Sequence, residues 1–299
     1  MSEARRLRWF GGIALVVTLA FSLPLYQVAR FSFKSDLHSH ALLIPFISGY
    51  LVWTRRQSIP REFTPAWGLA TLAALGSMSF LAGGWIVRGL QADKFLPAWL
   101  PYLTLAYAGL LLAAGFAVLG GRVMRAVAFP AAFLVFLTPL PPVVVDALER
   151  WLQHASAEAA NLLFLLSTQT YVRDGLVFRL PGVTIEVAPE CSGIRSSLVL
   201  FITSLLAGWL FLARFRNRAF LALSVIPLGI LRNAFRIFII GTLTAYVDPG
   251  IIRSPLHHRG GPLFFVLSLV PFFGLLWLFR RSEKGKTTDH GPGTTDQGL

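Results

Sequence analysis

Across its 299 residues the chain is 55% hydrophobic and only 14% charged, yet it carries a net charge of +13. A soluble domain could not cover so much apolar surface, and a single cysteine excludes an internal disulfide. The charge invites a nucleic-acid reading, which its placement along the chain removes.

Apolar runs near the roughly 20 residues needed to cross a bilayer recur from end to end. They predict eight helices, at Trp9–Val28, Leu37–Trp53, Ala66–Val87, Leu96–Leu119, Val123–Val145, Gly193–Leu212, Phe220–Val247 and Pro262–Phe279. The second is short and begins with His38 and His40; the seventh is long and contains Pro227. The expected fold class is therefore an all-α polytopic membrane protein. A single membrane-embedded domain over 1–281 is followed by a polar, disordered cytoplasmic tail over 282–299.

With a cytoplasmic N-terminus, each short inner connection is basic: Arg5, Arg6 and Arg8; Arg55, Arg56 and Arg61; Arg122 and Arg125; Arg214, Arg216 and Arg218; and Arg280, Arg281, Lys284 and Lys286. The excess charge is thus a topology signal that places both termini in the cytoplasm. The first apolar run is too long for a signal-peptide core and lacks a small-x-small cleavage site, so it reads as an uncleaved anchor.

The longest outer segment, 146–192, has two parts. From Asp146 to Leu166 the spacing predicts an amphipathic helix at the interface, with Trp151, Leu152, Ala155, Ala159, Leu162 and Leu163 on one apolar face. From Leu176 to Val187, alternating residues around Pro181-Gly182 predict a β-hairpin that leads to Cys191.

Three polar islands then fall on the outer side: Glu190-Cys191-Ser192-Gly193-Ile194-Arg195, Arg232-Asn233-Ala234-Phe235-Arg236 and His257-His258-Arg259-Gly260-Gly261. A helix starting at Ser192 or Gly193 would aim its positive end at Cys191, and both that dipole and a nearby cation lower a thiol pKa. On such a helix Arg195 would share the face of Cys191. Arginine inside a bilayer is costly and marks a site or pathway. Taken singly, each residue has a packing role open to it: an inert thiol, arginines that snorkel or pair with Glu190 or Asp248, histidines at helix ends, His40 among them. Taken together on one side of the membrane, a thiol, a guanidinium and an imidazole are the groups of a cysteine transpeptidase or protease. The residues alone leave Arg232 against Arg236 and His257 against His258 undecided. Metal and nucleotide motifs (CxxC, HExxH, Walker, GxGxxG) are absent, so no cofactor is expected.

These islands resemble the exosortase/archaeosortase family of membrane cysteine transpeptidases. The resemblance runs from about Ser39 to Trp277. Ser39-His40 through Pro45 is similar to an early Ser-His-Gly segment, with Ala41 in place of the glycine. Pro139-Leu140-Pro141-Pro142 resembles the middle, Glu190 to Arg195 the nucleophile motif, Asn233 to Ile237 the Asn-x-x-Arg-Ile element, and His257 with Gly261 the final His-x-x-x-Gly. The resemblance implies catalytic Cys191, Arg236 and His257, supported by Arg195, Asn233, Ser192, Gly193, Arg232, His258 and His40. It also implies substrates that are exported proteins ending in a PEP-CTERM-like signal: a short motif, one membrane helix and a basic cluster. A lipid- or glycan-linked acceptor in an exopolysaccharide-producing cell, and an inner-membrane location with the site facing the periplasm, follow from the same resemblance. A transporter or polysaccharide-export component binding an anion through its buried arginines is the alternative. It leaves Cys191 without a role. Transfer and hydrolysis share the acyl-enzyme and stay undistinguished.

Overall fold

The computed structural model describes residues 2–90, 98–188, 193–248, 250 and 261–288. Its helices are α1 (Glu3–Ala20), α2 (Ser22–Lys34), α3 (Ile44–Thr54), α4 (Trp67–Leu90), α5 (Leu100–Val118), α6 (Gly121–Ala126), α7 (Ala128–Phe133), α8 (Pro142–Leu166), α9 (Ile194–Phe211), α10 (Phe215–Tyr246) and α11 (Gly261–Thr288). Strands β1 (Val172–Asp174), β2 (Val177–Leu180) and β3 (Val183–Glu186) form one small sheet. Two compact units result, Met1–Val145 and Asp146–Leu299.

Five helices among the described residues are long and apolar enough to cross a membrane, or up to seven if each of two bent pairs is one span. The apolar runs are present where the sequence predicts them, and prolines account for the difference from eight. Continuing α1 would drive the Pro24 ring into the carbonyl of Ala20, four residues earlier. The helix instead breaks at Phe21, and α1 and α2 meet at 68°. In the second run a 3-10 turn over Ser39–Leu43 precedes α3, whose start coincides with Pro45. Eleven residues of α3 extend only about 16 Å, half the hydrocarbon thickness. The fifth run is divided among α6, α7 and a 3-10 turn, and it stops at Pro139-Leu140-Pro141, after which α8 begins.

In the first unit α4 and α5 pack side by side, with Gly83 and Gly84 against Tyr102 and Leu103. Helix α1 joins α5 through Thr18 Oγ1 and Tyr107 OH, 3.1 Å apart, and Arg6 donates to the Val118 carbonyl at 3.2 Å. His38 is buried in the turn before the 3-10 segment. Its Nε2 accepts the Leu140 amide N–H at 3.1 Å, so the ring proton sits on Nδ1, which lies 3.0 Å from the Ser35 hydroxyl. An amide flanked by two prolines has no helix or sheet partner, and His38 satisfies it.

In the second unit, α9, α10 and α11 bury Leu200, Ala207, Leu221, Val225, Phe272 and Leu276 against one another. At one end, the Glu283 carboxylate of α11 accepts from the amides of Ala213 and Arg214, at 2.7 and 3.0 Å, and from the Asn217 side chain at 2.7 Å. It thereby caps α10, where an acceptor and a negative charge are both favourable. The sheet packs with α8 and the far half of α10 around Phe164, Phe178, Ile185, Val187, Ala234 and Ile237. The predicted hairpin forms, with Leu180 paired to Val183 across the Pro181-Gly182 turn. β1 joins its open edge through Asp174-Gly175, a turn dipeptide that follows a run too short to register as a strand.

The helix expected over this segment forms as α8, but its buried stripe differs from the expected one. Leu152, Gln153, Ser156, Ala157, Ala160 and Phe164 face inward, while Trp151 and Leu162 are exposed. Small residues let α8 approach closely, and the Gln153 amide donates to the Val187 carbonyl at the end of the sheet. Bulky apolar side chains are left on the outside, as lipid contact permits.

Candidate functional site

Cys191 and Ser192 lie outside the described residues, as do His257 and His258. The site is therefore built from what flanks them. Helix α9 begins at Ile194, with Gly193 as its N-cap in the left-handed conformation at φ +73°. This is a region L side chains avoid. Helix α9 starts after the cysteine position, and the expected relation between Cys191 and Arg195 lies outside the described residues. Arg195 is exposed in the first turn of α9.

Gly193 is held from α10. Its carbonyl oxygen accepts the Ser197 amide at 3.0 Å, the Ser196 hydroxyl at 3.0 Å and Nη2 of Arg232 at 3.2 Å. The same Nη2 lies 3.4 Å from the Ser197 hydroxyl. The close approach depends on Gly229, where a Cβ would stand 2.6 Å from Ser197 Oγ. Arg232 is 9% exposed and Asn233 only 2%. Arg232 Nη1 and Asn233 Nδ2 are buried without a hydrogen-bond partner among the described residues.

Arg236, one turn beyond Arg232, is half-buried. With Asn233, Ile185, Glu186, Val187, Ile237 and Ile240 it lines a cavity of about 20 Å³, room for one water. The two arginines preferred or set aside on sequence thus occupy different places. Arg232 grips the backbone after the cysteine, whereas Arg236 faces the junction of β3 and α10. The sequence signals that could have separated them, Gly229 and Ser197, are small residues whose meaning depends on what they pack against. His40 belongs to the first unit, where its Nδ1 donates to the Leu37 carbonyl at 3.1 Å.

At 1.5 Å per residue, Arg232 lies about 26 Å from the start of α10 and Arg236 about 32 Å. Gly193 marks the opposite end of α9 from the Glu283 cap and from Arg214, Arg216, Arg218, Arg280 and Arg281.

Two adjacent buried donors beside a left-handed glycine N-cap form an arrangement suited to a carbonyl or anionic oxygen. No protein of curated function matches the chain, and no solved structure does. A family model described as transmembrane exosortase (Exosortase_EpsH) matches residues 29–274.

Proposed function

The chain belongs to the transmembrane exosortase family, and on that footing we propose that it is a membrane cysteine transpeptidase that removes the C-terminal sorting signal of exported proteins. Cys191 is the nucleophile, His257 takes or shares its proton, and Arg236 steadies the thiolate or the developing oxyanion. Attack on the scissile carbonyl gives a thioester, which passes to a lipid- or glycan-linked acceptor or to water. Asn233, Arg195, Ser192 and His258 support this group.

The observation that carries the reading is the grip of buried Arg232 on Gly193, two residues after Cys191. An ordered, donor-rich setting follows the thiol at the start of a spanning helix, where an inert packed cysteine would need none. The transporter reading accounts for buried arginine but not for this placement.

Orientation follows from charge. Helix α9 measures about 27 Å over its 18 residues, close to the hydrocarbon thickness. Basic residues gather at its far end and at the adjoining end of α11, which supports a cytoplasmic position for that end. The head of α9 then faces the periplasm across the inner membrane. A substrate helix followed by a basic cluster would adopt the same orientation and bring its motif level with Cys191.

The test compares cells carrying wild type and Cys191→Ala. It follows a tagged reporter that ends in a Pro-containing motif, one membrane helix and a basic cluster. Loss of tail removal in the variant, at normal protein level, supports the nucleophile assignment; equal processing in both overturns it.

A further inference from the structure

Helix α1 turns two different faces to its surroundings. Arg6 donates to the Val118 carbonyl and stands over the Phe63 ring, and Thr18 meets Tyr107, so these residues face the rest of the first unit. Arg5, Arg8, Trp9, Gly12, Ile13 and Val16 recur at spacings of three and four and share another face. They line an open groove of about 570 Å³, within the roughly 300–1,000 Å³ usual for small-ligand sites.

The groove is charged at one end and apolar at the other. Arg5 and Arg8 are exposed, and among the described residues neither is in a salt bridge. Arg8 gives its Nε–H to the Ala4 carbonyl at 3.3 Å, within its own helix. The nearest acid in sequence, Glu3, is two residues from Arg5 and so lies on a different face. At Gly12 the surface is notched, since a Cβ there would meet no atom within 4 Å. Trp9 and Val16 stand exposed beside the notch. At 1.5 Å per residue Arg5 and Val16 are about 16 Å apart along the axis, half of a hydrocarbon layer of roughly 30 Å. From Arg5 to Val16 the lining passes from guanidinium to indole to aliphatic side chains. A lipid passes in the same order from phosphate through its ester region, where tryptophan prefers to sit, to acyl chain.

We propose that this face of α1 binds one anionic phospholipid of the surrounding bilayer, with Arg5 and Arg8 on the phosphate and an acyl chain in the notch at Gly12. Charge complementarity selects the occupant. Two guanidiniums favour a headgroup that keeps its negative charge, whereas a zwitterionic headgroup brings an ammonium against them. A second copy of the chain docked through this face would set arginine against arginine. Each arginine near a membrane surface is worth about fivefold in preference for anionic lipid. Cys191 takes no part in this site, so its test is independent of the nucleophile reading.

The experiment titrates the full-length protein in detergent with phosphatidylglycerol or phosphatidylcholine of the same acyl chains. Native mass spectrometry reads the affinity of the first lipid retained. It compares wild type, Arg5→Gln/Arg8→Gln, Gly12→Leu and Arg61→Gln. Wild type is expected to prefer phosphatidylglycerol about 25-fold, and the double arginine variant to lose that preference. Gly12→Leu keeps every charge, and its Cβ meets no protein atom within 4 Å. By filling the notch it should still weaken phosphatidylglycerol about fivefold, the worth of one or two acyl methylenes. Arg61 is exposed and does not line the groove, so Arg61→Gln should stay within about twofold of wild type. Equal affinity of wild type for the two lipids overturns the site. So does an equal loss in Arg61→Gln and the double variant, which would reduce the effect to general attraction by positive charge. Gly12→Leu binding as wild type does also overturns it, because the notch would then hold no chain. Gly12→Leu decides alone should the double variant fail to fold.

Discussion

At the scale of single residues, Gly193 is the position where local conformation and chemistry meet. Its φ of +73° costs an L residue about 1–2 kcal/mol. A Cβ there would also press on Arg232 Nη2 at 2.8 Å. Gly193→Ala is therefore expected to lower the melting temperature and to cut reporter processing about tenfold or more. In the Arg232→Gln background the same substitution should cost less stability, because the contact is gone while the backbone strain remains. A double-mutant cycle on thermal melts measures that difference; strict additivity would show that the side-chain contact carries no energy.

At the scale of elements, the chain uses polar side chains to settle backbone groups that helices and strands leave over. Glu283 does this for the start of α10, Gln153 for the end of the sheet, and His38 for Leu140 between its prolines. His38 lies in a turn outside the spanning helices. Burial, with a smaller contribution from His40, pushes its pKa down from 6.5 to about 4. The unfolded chain then binds more protons than the folded one between those values. The stability from a neutral His38 is full above pH about 6.5 and is lost as pH falls toward 4. Thermal melts across this window should decline in wild type. His38→Leu should be less stable at pH 7 and show a shallower decline; identical slopes in both would remove His38 from the account.

At the scale of the whole molecule, the positive-inside bias yields a prediction that does not depend on how the broken spans are counted. In a Cys191→Ser background, a cysteine placed at Asp174, exposed in β1, should react with a membrane-impermeant maleimide in intact spheroplasts. One placed at Arg216, exposed near the start of α10, should react only after permeabilisation. The reverse pattern would put the head of α9 in the cytoplasm, out of reach of an exported substrate's outer segment. Large apolar side chains such as Phe46, Phe80, Trp85, Phe220 and Val266 stay exposed on the described helices, which suits a lipid surround and no aqueous one.

By itself the sequence determined the membrane class, the hairpin before Cys191, the order of the polar islands and the family. These depend on run length, turn chemistry and local motifs, all of which act over a few residues. The proline breaks were legible in principle, since Pro24, Pro45 and Pro139 are local, but apolar length alone passes over them. Tertiary structure decided the rest. It chose Arg232 for Gly193, because Gly229 and Ser197 let two helices close to hydrogen-bonding distance 39 residues apart in the chain. It also moved the buried face of α8 onto small residues and joined His38 to Leu140 across 102 residues. Helical periodicity tells which residues share a face, but the partner of that face is set by packing between distant segments, and no local pattern encodes it.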